Sequence, residues 1–151
     1  MTPPTLKPPS VPLAVIDALS SLLESELQSL FRQLQKFSPH LDRANADLRR
    51  PLNDMAATAV RHGHELAALI ESLGGTPTAT ISVVDEQYLA YLSFKFFLPK
   101  LIDACRLAVQ RYTSTLAALP DAPDSVRNLL SAHLADYRAQ LALLEQAAAR
   151  H

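Results

Sequence analysis

Residues 61–77 read RHGHELAALIESLGGTP. Leu66, Leu69 and Leu73 recur at spacings of three and four, the period of one helix face. Gly74-Gly75 then supplies a glycine stop, and Pro77 prevents the helix from resuming. Traced backwards, the same line passes through His62, Ala59, Met55, Leu52 and Leu48, so a helix over residues 47–73 is expected. Pro51 falls near its first turn, where a missing N–H does little harm. His62 lies on the apolar line. His64, about 200° further round at helical spacing, is expected to face away from it.

The same spacing marks three more segments. In residues 13–37 the line is Ile16, Leu19, Leu23, Glu26, Leu30, Leu34 and Phe37, and Pro39 closes it. A third, compound segment opens with Asp85 as an expected N-cap and continues to Leu119, with an interruption expected near Pro99. Its line is Leu98, Ile102, Cys105, Val109, Tyr112, Leu116 and Leu119. The fourth begins near Asp124 or Ser125, with Val126, Leu130, His133, Tyr137, Gln140, Leu144 and Ala147. Four long amphipathic helices imply an all-α four-helix bundle. The links between first and second and between third and fourth are short. The stretch between Gly75 and Leu98 is long enough to return along the bundle, which makes the second and third helices parallel. Residues 1–12 hold five of the chain's 11 prolines and form an expected flexible arm, leaving 13–151 as the bundle domain.

Composition narrows the function classes. The 151 residues carry 14 basic and 15 acidic side chains, mixed along the chain, for a net charge of −1. No basic stripe points to nucleic acid, and no apolar run approaches the ~18 residues of a membrane span. Prolines break the N-terminal stretch before a signal-peptide core can form. A single cysteine, Cys105, rules out an internal disulfide and fits a reducing, cytoplasmic location. There is no phosphate-cradling glycine loop and no nucleophile elbow.

The informative residues are the polar ones on the inward lines: Glu26, His62, Cys105, His133, Tyr137 and Gln140. A buried carboxylate is expensive without a partner, so Glu26 requires a metal, a histidine or hydroxyls. The sequence LLESELQSLFRQL at residues 22–34 resembles the first helix of the ferritin-like superfamily, of the rubrerythrin and bacterioferritin kind. HGHELAALIESLGGTP resembles the end of that family's second helix, and LLSAHLADYRAQLALL at residues 129–144 resembles its fourth. The resemblance spans residues 13–144 and implies a ferritin-like bundle with one long crossover.

It also implies a di-iron site, and most of that site is replaced. Glu26 matches the first-helix glutamate, and His62 matches the histidine of the second-helix E-x-x-H pair. The glutamate of that pair is Ala59, the third-helix glutamate is Cys105, and the fourth-helix pair falls at Tyr137 and Gln140. With two of six ligands left, a di-iron centre is expected to be absent.

Two readings of these residues stay open. One is a core polar network of Glu26, His62, Tyr137 and Gln140, with no cofactor. The other is a single zinc or iron ion on Glu26 and His62, helped by Cys105 or His133. The corresponding functions are a non-catalytic binding or interaction protein, and a metalloprotein or oxidoreductase with a reduced site. A structural helical adaptor unrelated to ferritins is the third. The aromatic set Tyr88, Tyr91, Phe94, Phe96 and Phe97 lies on several sides of one helix. It is read as a lid on the bundle, a homodimer contact, a surface for a protein partner, or a pocket for a small apolar ligand.

Overall fold

The computed structural model describes residues 12–34, 39, 41–77 and 93–150. These form helices α1 (Leu13–Leu27), α2 (Leu30–Gln33), α3 (Arg49–Ser72), α4 (Phe94–Ala118) and α5 (Asp124–Ala149), with a 3-10 turn over Arg43–Leu48. No strand occurs among the described residues. The four long helices form a bundle in which α1 packs chiefly on α3, and α4 chiefly on α5. No helix among the described residues is long and apolar enough to cross a membrane.

The helix ends follow from local chemistry. Gly74 has φ 88°, and its N–H donates to the Glu71 carbonyl at 3.0 Å while the Gly75 N–H donates to the Ile70 carbonyl at 2.9 Å. That pairing satisfies two carbonyls that the helix end would otherwise orphan. Gly75 has a second reason to be glycine. A Cβ there would lie 2.9 Å from Ile16 and Ile70, so α1 closes directly onto the end of α3.

Two expectations are corrected. The first helix is not continuous to residue 37: α1 stops at Leu27, and Ser29 caps a fresh turn by accepting from the Phe31 N–H at 3.2 Å. The apolar spacing runs on across this break, so periodicity alone does not reveal it. Conversely, α4 is unbroken through Pro99. Pro99 is exposed and sits in the second helical turn, where it removes one N–H without ending the helix. Asp85, Tyr88, Tyr91 and Phe37 lie outside the described residues.

The inward lines are the core. Leu19, Leu66, Leu101 and Leu130, one from each long helix, are fully buried. Phe94 and Phe97 are buried beside them, whereas Phe96 is 66% exposed. The lines also carry Glu26, His62 and His133 inside, at 3%, 0% and 0% exposure.

Candidate functional site

Glu26 comes from the last turn of α1, and its carboxylate enters the centre of the bundle. Two phenols meet it there. Tyr112 of α4 donates to Oε1 at 2.7 Å, and Tyr137 of α5 donates across both oxygens, at 2.7 and 2.6 Å. Burial, then the charge of Glu26, pushes both phenol pKa values far above the ordinary tyrosine value. Both hydroxyls therefore keep their protons and act as donors.

Behind the carboxylate, α3 and α5 place two imidazoles face to face. The His62 and His133 rings stack at 3.8 Å with an interplanar angle of 22°. Each takes its acidic partner from the other helix. His62 Nε2 lies 2.9 Å from Asp136, and His133 Nε2 lies 3.3 Å from Glu65. His62-x-x-Glu65 and His133-x-x-Asp136 are thus two i, i+3 pairs that face each other in opposite senses and exchange acids. Arg61 closes the outer side, with 2.9 Å bonds to both Glu65 and Asp136. On the inner side, His133 Nδ1 lies 3.1 Å from the Tyr112 hydroxyl, and His62 Nδ1 lies 3.5 Å from Glu26 Oε1. Glu26, His62, Asp136, Arg61, Glu65, His133 and Tyr112 form a closed ring of polar contacts.

One proton arrangement matches the spread of these distances. Six contacts join the two phenols and two imidazoles to their partners: Tyr137–Glu26, Tyr112–Glu26, Tyr112–His133, His133–Glu65, His62–Asp136 and His62–Glu26. Counting one proton for each phenol and each imidazole, four protons serve the six contacts. Two contacts must go without. The short bonds assign Tyr112 O–H to Glu26, His133 Nδ1–H to the Tyr112 oxygen, and His62 Nε2–H to Asp136. The contacts left bare are His133–Glu65 at 3.3 Å and His62–Glu26 at 3.5 Å, the two longest of the six. His62 Nδ1 is accordingly a buried nitrogen without a hydrogen-bond partner.

Burial, with the adjoining His62 ring, pulls His133 down from 6.5 to about 4. At Asp136, burial pushes upward, but the hydrogen bonds from His62 and Arg61 prevail and hold the carboxyl below its ordinary value. The two shifts act in the same direction. The unfolded chain protonates His133 first, so stability is complete above pH 6.5 and declines as pH falls towards 4. The decline should amount to roughly 2–3 kcal/mol. Asp136 adds to it at lower pH, below 3.8. Urea unfolding of the native chain and of His133→Gln at pH 7 and pH 5 tests the assignment. The variant should show a clearly shallower loss, and an unchanged loss would remove His133 as its source.

The remaining residues singled out by the sequence fall around this centre. Cys105 is buried and donates from Sγ to the Tyr137 carbonyl at 3.1 Å, which helps fix the backbone of α5 beside the cluster. Burial, then the charge of Glu145, pushes its thiol up to about 12, which keeps it protonated. Gln140 is half-buried and borders a separate cleft with Met55, Thr58 and Asp136, and its Oε1 has no hydrogen-bond partner among the described residues. His64 is exposed. Reading the polar interruptions alone misses Tyr112, Glu65 and Asp136. The i, i+3 acid after each buried histidine is the signal that finds the last two.

A cleft of about 440 Å³ opens between α1 and α4, and Glu26, Tyr112 and Tyr137 border its inner end. Ser21, Ser25, Gln28 and Arg111 stand among its outer residues. Among the described residues, no group of three or more His, Cys, Asp or Glu side chains is placed to hold a metal ion. The donor set does not fit a two-metal centre: one buried carboxylate is present among the described residues, and both its oxygens already accept from phenols.

The chain matches no family model, no curated protein and no solved structure.

Proposed function

We propose that this chain is a non-catalytic binding protein on a ferritin-like bundle, with a hydrogen-bonded side-chain network where that superfamily holds two metal ions. The observation that carries the reading is the double phenol clamp on Glu26 at the inner end of the α1/α4 cleft. It gives a buried carboxylate its donors from within the protein and leaves an adjacent space of ligand size.

Helix directions support the ferritin-like part. His62 meets Asp136 and Glu65 meets His133, so α3 and α5 run in opposite senses. Tyr112 meets His133 and Cys105 meets the Tyr137 carbonyl, so α4 and α5 do too. These contacts support a parallel α3 and α4, and with them a crossover rather than a tight turn. Residues 73–93 are available for it. At about 1.5 Å per residue α3 is roughly 36 Å long, and an extended chain of that many residues spans the distance with ease. An adaptor with short links throughout would lack this stretch. If the protein dimerises, Phe96 is the described member of the aromatic set exposed enough to meet a second copy.

A second reading has its own observation. The bare His62 Nδ1 and Glu26 Oε1, 3.5 Å apart, could both turn to one zinc or iron ion. Elemental analysis of untagged protein, followed by anaerobic Fe(II) and Zn(II) titration, separates the two. The network reading expects no stoichiometric metal and unchanged folding after chelation. Near-stoichiometric metal that disappears in both Glu26→Ala and His62→Ala would overturn it in favour of a mononuclear site.

A further inference from the structure

The inner end of the α1/α4 cleft is built almost wholly of acceptors. Each phenol has a single proton, and both protons point at Glu26. Tyr137 can still offer oxygen lone pairs, whereas the Tyr112 oxygen already faces His133 Nδ1 at 3.1 Å. Glu26 itself has unused acceptor capacity, most clearly on Oε2, which receives only the shared proton of Tyr137.

Glu26 has only a distant contact from behind. Its nearest basic neighbour from α3 is His62 Nδ1, a nitrogen at 0% exposure with no hydrogen-bond partner. That nitrogen lies 3.5 Å from Glu26 Oε1, beyond good hydrogen-bond distance. His133, the other imidazole, contacts Tyr112 rather than the carboxylate. Among the described residues no lysine or arginine bonds to Glu26. The carboxylate is hydrogen-bonded by two phenols, at one end of a cavity that opens outward.

Two aromatic rings flank that charge. The Tyr112 and Tyr137 centroids are 5.7 Å apart with an interplanar angle of 38°. A carboxylate held at the hydroxyl ends of two phenols suits an organic ammonium, which donates to its free lone pairs. The outer part adds Ser21, Ser25 and Gln28, together with one charge of each sign, Glu24 and Arg111. Arg111 is exposed, and solvent screens it from the inner end.

We propose that the α1/α4 cleft binds a small organic molecule carrying a protonated amine. The ammonium sits against Glu26 and donates to its oxygens and to that of Tyr137. The cleft, at about 440 Å³, lies within the ~300–1,000 Å³ range of small-molecule sites. This inference rests on the binding reading above and names the ligand class for that site.

The test uses matched probes on the full chain: butylamine and benzylamine against butanol and benzyl alcohol. Binding is followed by amide chemical shifts and by calorimetry. Two variants accompany it, each checked for folding by circular dichroism. Glu26→Gln removes the charge and keeps the shape, and Ala108→Trp narrows the cleft without touching Glu26. The amines should bind saturably, at least tenfold more tightly than the alcohols, and each variant should weaken them at least tenfold. Should Glu26→Gln fail to fold, the amine-to-alcohol ratio and Ala108→Trp decide. Alcohols that bind as well as amines would overturn the ammonium inference and leave the cleft reading standing. Amine binding that survives Glu26→Gln would do the same. Folded native protein that binds none of the four would overturn both.

Discussion

Glu26→Ala should lower the unfolding free energy by about 3–5 kcal/mol, whereas Glu26→Gln should stay within about 1 kcal/mol of the native chain. Alanine leaves a cavity and strips the acceptor from two buried phenols, Tyr112 and Tyr137. Glutamine instead lets every proton find a place. Its carbonyl oxygen accepts from Tyr137, and its amide N–H donates to the bare Nδ1 of His62. Tyr112 then turns its proton to His133 Nδ1, at 3.1 Å in the native chain, and His133 moves its own proton to Nε2, facing Glu65 at 3.3 Å. The contacts at 3.3 and 3.5 Å both gain protons. Urea melts of the two variants at pH 7 provide the check. Equal losses would mean that the carboxylate matters only for its volume.

Tyr137→Phe should cost about 1.5–3 kcal/mol, the range of a hydrogen bond to a charged group. Tyr137 reaches both oxygens of Glu26, whereas Tyr112 reaches only Oε1. Tyr112→Phe should therefore cost less, although it also removes the acceptor of His133. In the double variant the carboxylate has neither phenol donor. The loss should exceed the sum of the two single losses by about 1 kcal/mol, because either phenol partly covers for the other. Strict additivity in a double-mutant cycle would show that the phenols act independently and that no shared clamp exists.

The bundle was legible because burial repeats with a helical period. Leu19, Leu52, Leu66, Leu98, Leu130 and Leu144 stand on the inward lines and are all buried. Gly74 and Gly75 mark an end that only glycine suits, through a positive φ and a close approach respectively. The break after Leu27 left no such mark, since Ser29 caps a new turn while Leu30 and Leu34 keep to the old spacing. Within the site, Glu26 and His62 stood out because they interrupt apolar lines. Tyr112 did not, because an aromatic ring counts as apolar until its hydroxyl is given a partner. Glu65 and Asp136 are each 36% exposed at the side chain, and a half-exposed acid on a helix flank looks like ordinary surface. Only the distances across α3 and α5 assign each acid to the opposite histidine.

The exchanged pairs also restrict how the two hairpins can slide past each other. If α5 slipped along α3 by one helical turn, about 5.4 Å, His62 would lose Asp136 and His133 would lose Glu65 in the same movement. Leucine against leucine tolerates such a slip far better, since one apolar contact replaces another. A polar crossing that matches in only one alignment sets the register of a bundle whose apolar seams would accept several. Arg61 spans both acids from outside and keeps that crossing shut. The cluster at the centre is thus a keyed joint between the hairpin α1–α3 and the hairpin α4–α5.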